Sequence, residues 1–326
     1  MAIFHSKVDS ASLFFRHYIP SSSPYKPAST VAHQPLTLVF LHGWPMSSRM
    51  YDQLIVPLVE THRFPVIAPD RRGFGNSEWT TPTTTAEGVT FDTFVADLIS
   101  LLEHALLGNT NTNTNTNPSY SAPFVFVAAS MGCSESVLAR AASSFVRAHC
   151  KGFVWIGPNM PYSLRCDECP AAPDRAVWEG LIDGFRGAGG KDFIAQALPG
   201  VFRVDLGNEV GKRTLQFFER IVGQADPMAL ERTTTILQRP MVAELKRLAD
   251  EEGGANKPDR IPVLILHGDS DSGMPLEASA AVVHEMLPWS ELKVYEKAGH
   301  GLYLTHAQQV LDDLLAFLSP IVARLQ

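Results

Sequence analysis

Residues 124–146 read FVFVAASMGCSESVLARAASSFV, and the change of pattern at Ser130 decides the fold. Phe124 to Ala129 is an unbroken apolar run with the length of a strand buried on both faces. From Met131 onward the residues follow helical spacing. Ser130 therefore stands on a strand-to-helix turn, within Ala128-Ala129-Ser130-Met131-Gly132. Small residues two before and two after the serine let strand and helix cross closely. Such a turn holds the serine in a strained backbone with its hydroxyl exposed. Met131 opens the helix, so its N–H and the helix dipole point toward any oxyanion formed beside Ser130.

On either side of this turn, short β-like runs alternate with helical segments. SLFFRHYI (12–19), TLVFLHG (37–43), FPVIAPD (64–70), KGFVWIGP (151–158), VLILHGD (263–269) and ELKVYEKAG (291–299) join FVFVAAS as strands. Helical patterns cover roughly 47–60, 91–107, 131–149, 275–287 and 304–325. This predicts the α/β class, with a mostly parallel central sheet flanked by helices. The runs at 2–8 and 12–19 have no helix between them and predict an antiparallel hairpin. Asn109–Asn117 (NTNTNTNTN) is polar and low in complexity, as expected of a surface loop. Residues 159–258 interrupt the alternation with a helical stretch that carries Trp178, Phe185, Phe193, Phe202, Phe217, Phe218 and Met228. The expected division is a core at 1–158, a helical cap at 159–258 and the rest of the core at 259–326. Such a cap would cover the C-terminal edge of the sheet, where open α/β sheets bind ligands. Most of those aromatics are expected to form the cap's own core.

A serine nucleophile needs a base, and the base needs an orienting acid. One strand ends in His267-Gly268-Asp269-Ser270-Asp271 and the next in Lys297-Ala298-Gly299-His300-Gly301, along the same sheet edge. Ser130, Asp271 and His300 fit nucleophile, acid and base in that order. Asp269 is the rival acid, with Asp271 preferred, and His42 and His267 read as structural. The glycines beside His300 suit a tight loop. Within Leu41-His42-Gly43-Trp44-Pro45, the Trp44 N–H would give the second oxyanion donor and its indole the floor of the acyl side. Asp70-Arg71-Arg72-Gly73-Phe74-Gly75-Asn76-Ser77 reads as a scaffolding turn.

HGWPMSSRMYD (42–52), APDRRGFGNSEW (68–79), AASMG (128–132), LILHGDSD (264–271) and KAGHG (297–301) together resemble the α/β-hydrolase superfamily. The resemblance is nearest to its cofactor-free haloperoxidase and esterase branch. It implies an α/β-hydrolase fold, with Ser130, Asp271 and His300 as catalytic triad and Trp44 and Met131 as oxyanion hole. In that branch halogenation reflects peracid formation at an esterase site, so hydrolysis is the activity implied. Haloalkane dehalogenases and epoxide hydrolases carry an aspartate nucleophile where this chain has Ser130. Two departures stand out: Ala128 and Ala129 replace the usual Gly and His, and Cys133 replaces a common Gly. Gly157-Pro158-Asn159 lacks a carboxylate, which removes an alternative acid position and favours Asp271.

The 326 residues carry 27 Lys and Arg against 34 Asp and Glu, a net charge of −7. That balance speaks against nucleic acid or an anionic membrane as partner. No apolar run reaches the ~18–20 residues of a membrane span. The N-terminus lacks the apolar core of a secretory signal, and four cysteines form no disulfide framework. A cytoplasmic protein, monomer or homodimer, is expected. Cys166-Asp167-Glu168-Cys169 is a single CxxC without a second pair or suitably spaced histidines, so no zinc site is expected. No Gly-rich phosphate loop follows a strand, so no nucleotide cofactor is expected. These residues point to a serine hydrolase acting on an ester, lactone or thioester of a small apolar molecule, without cofactor or metal. Acyl transfer, C–C bond hydrolysis or lyase/cyclase chemistry on the same scaffold is the alternative. A ligand receptor with a vestigial triad is another.

Overall fold

The computed structural model describes residues 2–20, 36–80, 88–107, 123–187, 189–252 and 260–326. The tract Asn109–Asn117 lies outside the described residues. Among the described residues, eight strands form one sheet: β1 (Ala2–His5), β2 (Ser12–Tyr18), β3 (Thr37–Leu41), β4 (Val66–Pro69), β5 (Phe124–Ala129), β6 (Cys150–Ile156), β7 (Val263–Gly268) and β8 (Glu291–Tyr295). Their order is β1-β2-β4-β3-β5-β6-β7-β8. β1 and β2 form the antiparallel hairpin, β2 joins β4 antiparallel, and β3 to β8 run parallel.

Period-two alternation sends each strand's side chains to two cores. Leu38, Phe40, Val125, Val127, Val154, Ile156, Leu264 and Leu266 enter one of them. Val39, Leu41, Phe126, Ala128, Phe153, Trp155, Val263 and Ile265 enter the other. Full burial of each large side chain contributes about 1.5–3 kcal/mol, and so both faces must be covered. The first core is covered by α1 (Asp52–Glu60) and, near the C-terminus, by α12 (Leu302–Thr305) and α13 (Ala307–Ala323). The second is covered by α2 (Phe91–Leu107), α3 (Met131–Ala142) and α11 (Ala280–Met286). Phe91, Phe94, Val95, Leu98, Leu101 and Leu102 form the buried stripe of α2 at helical spacing.

The helix expected at 131–149 is two helices. Ser143 takes extended backbone (φ −122°, ψ 125°) and its hydroxyl accepts the Val146 N–H, capping α4 (Ser144–His149). The 304–325 pattern likewise breaks at His306, between α12 and α13. The strand expected at 291–299 stops at Tyr295, ahead of a turn in which Lys297 has φ 57°.

Between β6 and β7 lie α5 (Arg175–Arg186), α6 (Lys191–Ala195), α7 (Leu198–Val201), α8 (Lys212–Gln224), α9 (Pro227–Ile236) and α10 (Val242–Glu252). α10 sides with the sheet: Leu245 and Leu248 join the core beneath α3, and Arg140 pairs with Glu251 and Glu252. No helix among the described residues is long and apolar enough to cross a membrane.

Arg72, just past β4, is wholly buried and bonds Asp97 of α2, Asp9 of the hairpin and the Ser6 hydroxyl. One guanidinium thus fastens the hairpin to α2 and the sheet. Removing it leaves two carboxylates without their partner, and losing half of a buried pair costs about 3–5 kcal/mol. Arg72→Met is therefore expected to lower unfolding free energy by that amount in a urea titration. Lys7→Ala, which removes the exposed Lys7–Glu103 pair, is expected to cost less than about 1 kcal/mol.

Candidate active site

β3 has β4 on one side and β5 on the other, so the chain changes winding direction at β3. A crevice for ligands opens at such a switch point, beyond the strands' C-terminal ends. Leu41 and Ala128 are register partners there, which brings Gly43-Trp44 beside Ser130. A Cβ placed on Gly43 would lie 3.1 Å from the Ser130 Cβ.

Ser130 has φ 51° and ψ −122°, a conformation costly for a residue with a side chain. The surroundings enforce it. The Ser130 N–H donates to the Ile156 carbonyl at 3.0 Å, tying the turn to β6, and the chain enters α3 at once. Gly132 makes the crossing possible: a Cβ there would sit 2.5 Å from the Leu41 carbonyl oxygen. Ala128 and Ala129, in place of the family's Gly and His, are buried without disturbing the turn. Cys133 is fully buried, donates to the Ala128 carbonyl and has its thiol pushed well up by burial, which makes it a packing residue. Among the described residues, no acceptor binds the N–H of Met131 or of Trp44. Unpaired donors of this kind suit an anion.

His300 and Asp271 meet. The His300 Nδ1–H donates to Asp271 Oδ2 at 2.6 Å, leaving Nε2 as the basic nitrogen. Asp271 has no exposed side-chain surface, and Oδ1 accepts the Gly273 and Met274 N–H groups. Burial by itself would raise the Asp271 pKa. The charge and hydrogen bond of His300, with His267 and the Met274 N–H, outweigh that and hold it below the ordinary carboxylate value. Burial opposes charge on His300 as well, but the carboxylate beside it wins and raises the imidazole above its ordinary value. Asp269 points elsewhere, exposed and bonded to the Ser270 hydroxyl.

The glycines beside His300 lie in a turn and also meet a constraint from outside it. Neither has a positive φ. A Cβ on Gly299 would lie 2.5 Å from the Val201 carbonyl oxygen and one on Gly301 2.3 Å from the Phe202 ring. The Gly301 N–H also donates to the Val201 carbonyl at 3.0 Å. These glycines make room for the end of α7.

His42 and His267 are buried, and burial lowers the pKa of both against the pull of their backbone hydrogen bonds. His42 Nε2 accepts the Arg71 N–H at 2.8 Å while Nδ1 bonds the Gly43 carbonyl; burial first, then Arg71, pushes its pKa well down. His267 donates from Nε2 to the Met274 carbonyl and lies beneath the acid loop, its pKa lowered chiefly by burial. In the 70–77 turn, Asp70 accepts the Ser48 and Asn76 N–H groups and Arg71 pairs with buried Glu135 of α3. Burial raises the Glu135 carboxyl against the pull of Arg71.

Ser130, Asp271, His300 and Trp44 line one cavity of about 550 Å³. Its walls are mostly apolar, with Val177, Trp178, Leu181, Phe193 and Leu237 from the segment between β6 and β7. Of the seven large residues noted in that segment, Trp178 and Phe193 reach the cavity. Phe202 and Phe218 pack with Tyr303, and Met228 is exposed. Sequence reasoning missed Asn159 as a lining residue: it had been noted only for the carboxylate it lacks. It is buried, accepts the Ser134 hydroxyl and faces the cavity. The Trp44 indole donates to the Leu230 carbonyl and packs on Phe185, and so links the β3 loop to α9 and α5.

A family model described as "Alpha/beta hydrolase family" matches residues 38–313, well over half of the chain. This chain belongs to the α/β-hydrolase family. A putative non-heme chloroperoxidase of Synechocystis is 27% identical over 292 residues, covering 88% of this hydrolase and 92% of that protein. A bifunctional esterase/perhydrolase of Acinetobacter calcoaceticus is 26% identical over 329 residues, covering 95% and 97%. Among solved structures, a bromoperoxidase from Bacillus anthracis superposes with a TM-score of 0.75 at 25% identity, covering 98% and 100%. The relatives to which the hydrolase is similar along its length are thus named as haloperoxidases and an esterase.

A Gly132→Ala substitution sets a methyl against the Leu41 carbonyl. It is expected to lower stability by about 1–3 kcal/mol, the range for overpacking a tight core. Thermal unfolding with calorimetry measures this. The same substitution at Gly180, where a Cβ meets nothing within 4 Å, is expected to be neutral or slightly stabilising.

Proposed function

We propose that this hydrolase cleaves a carboxylic ester, lactone or thioester of a small, largely apolar molecule through an acyl-enzyme. Ser130 attacks the carbonyl carbon while His300 Nε2 takes its proton, and Asp271 fixes the tautomer and stabilises the imidazolium. The N–H groups of Met131 and Trp44 hold the oxyanion. His300 then protonates the leaving group, and water deacylates Ser130 by the reverse proton path. The observation that carries this reading is the His300–Asp271 bond of 2.6 Å at the wall of the cavity that Ser130 also lines. Apart from Asp271, no charged side chain among the described residues lines that cavity, which favours a neutral apolar substrate. Helices α5 to α9 between β6 and β7 are read as a cap that supplies its specificity. Four unpaired cysteines accord with a reducing, cytoplasmic setting.

The names of the relatives favour one variation. Hydrogen peroxide in place of the deacylating water would release a peracid from the same acyl-enzyme.

A fluorophosphonate probe tests the nucleophile directly. One adduct per chain is expected by intact mass, absent from Ser130→Ala and His300→Ala. A full-strength adduct on Ser130→Ala overturns the proposal. With p-nitrophenyl butyrate, Ser130→Ala is expected to lower kcat by about 10³-fold or more.

The pH profile follows from the shifts of the pair. Only the neutral imidazole accepts the serine proton, and Asp271 raises its pKa. The acid limb of kcat/KM is therefore expected to fall as pH drops through a value above the ordinary imidazole figure of ~6.5. Asp271→Asn removes the raising influence and leaves burial, so its acid limb is expected at lower pH, with kcat reduced about 10³–10⁴-fold.

A further inference from the structure

Cys166 and Cys169 lie outside the cavity and have no part in the proposed chemistry. Both thiols are free. The two residues close a two-residue hairpin. The Cys169 N–H donates to the Cys166 carbonyl at 3.1 Å, and the Cys166 N–H returns to the Cys169 carbonyl at 3.5 Å. Residues that exchange both backbone bonds in this way have Cα atoms about 5.5 Å apart, with their side chains on one face. Disulfides span Cα separations of about 4.4–6.8 Å. The pair is thus built at bridging distance without movement of the backbone.

Its surroundings give a bridge something to act on. Cys169 is buried against the Ala278 carbonyl, and Ala172 and Ala278 share its small apolar cluster with Tyr162. Ala278 stands on the segment that continues from the Asp271 loop, whose Met274 N–H binds the Asp271 carboxylate. On the other arm, the Arg165 N–H donates to the Pro173 carbonyl at 2.8 Å, and Pro173 lines the cavity. The hairpin lies between the acid loop and the cavity wall. Among the described residues, no group of three or more His, Cys, Asp and Glu side chains is placed to hold a metal ion.

We propose that Cys166 and Cys169 are a reversible redox modification site, oxidised by hydroperoxides to a disulfide that clamps the two arms of this hairpin together beside the Asp271 loop. One thiolate attacks the peroxide, breaking its O–O bond and releasing water or an alcohol, and becomes a sulfenic acid. The second thiol displaces water from that sulfur. Two S–H bonds are lost, one S–S bond forms, and two electrons pass to the peroxide. Half-exposed Cys166 is the sulfur a peroxide reaches. Burial, then its bond to Glu168, holds that thiol above its ordinary pKa. A raised pKa lowers the thiolate fraction and slows the first step.

The test treats the full-length protein with hydrogen peroxide, alkylates it with N-ethylmaleimide under denaturing conditions and maps the tryptic peptides. Residues 166–175 come off as one peptide holding both cysteines. It is expected to lose the mass of two hydrogens and both alkyl groups, and to regain both sites after dithiothreitol. Buried Cys133, and Cys150 with its thiol pushed up to about 12, are expected to remain fully alkylated. Cys166→Ser and Cys169→Ser are each expected to abolish the change. In the oxidised wild type, amide exchange across 162–173 is expected to slow several-fold. Peptide 166–175 still carrying two alkyl groups, or irreversible oxidation at a single cysteine, overturns the assignment. A disulfide that leaves exchange across 162–173 unchanged overturns the clamp.

Discussion

The geometry at the sheet's C-terminal edge depends on the buried guanidinium of Arg71. It reaches the His42 carbonyl and the Glu135 carboxylate, while its own backbone N–H is received by His42 Nε2. Three segments distant in sequence meet there: the loop after β3, the turn after β4 and the helix that begins behind Ser130. A buried charge pair adds little net stability against an apolar replacement. What it supplies is registry. Each of the three segments offers a polar group that is satisfied here, which ties the β3 loop and α3 to one another. That matters because the unpaired N–H groups come one from each: Trp44 from the loop, Met131 from the helix.

Strain is concentrated at one point and restraint surrounds it. Ser130 holds a backbone conformation that its side chain disfavours, and relief would require α3 to retreat from β3. The Gly132–Leu41 contact, the Ser130–Ile156 bond and the Arg71 anchor all oppose that retreat. The interior is dense enough that shifting any one disturbs the others. A hydroxyl raised above the sheet on a sharp turn is thus the product of packing on both sides of it.

Much of this was legible in the chain because it rests on short-range rules. Strands buried on both faces appear as apolar runs, and the switch to helical spacing at Met131 marks the turn. Asp271 precedes Gly273 by two residues, a spacing at which an aspartate commonly binds the amides ahead of it. It does so here with the Gly273 and Met274 N–H groups, which turns the carboxylate inward while Asp269 stays in solvent. Other features depended on long-range contact and left no local signal. Ser143 breaks a helix that periodicity extends through, since its cap competes with the helix interior only once the chain must turn into β6. The glycines around His300 read as turn residues, but the further constraint on them comes from α7, about a hundred residues away. Asn159 and the apolar walls of the cavity come from segments whose side chains meet only after folding. Trp178 and Phe193 could not be told in sequence from Phe202 and Phe218, because all four are simply aromatic.

The bond between Gly301 and Val201 gives the segment that walls the cavity a hold on the imidazole's own loop. α7 cannot be displaced without tugging the backbone next to His300, and the close fit of Gly299 and Gly301 leaves no slack to absorb it. The cavity wall and the position of His300 are therefore coupled. A body seated under α7 that pushes the wall outward also shifts His300, and one that lets the wall settle leaves it bonded to Asp271.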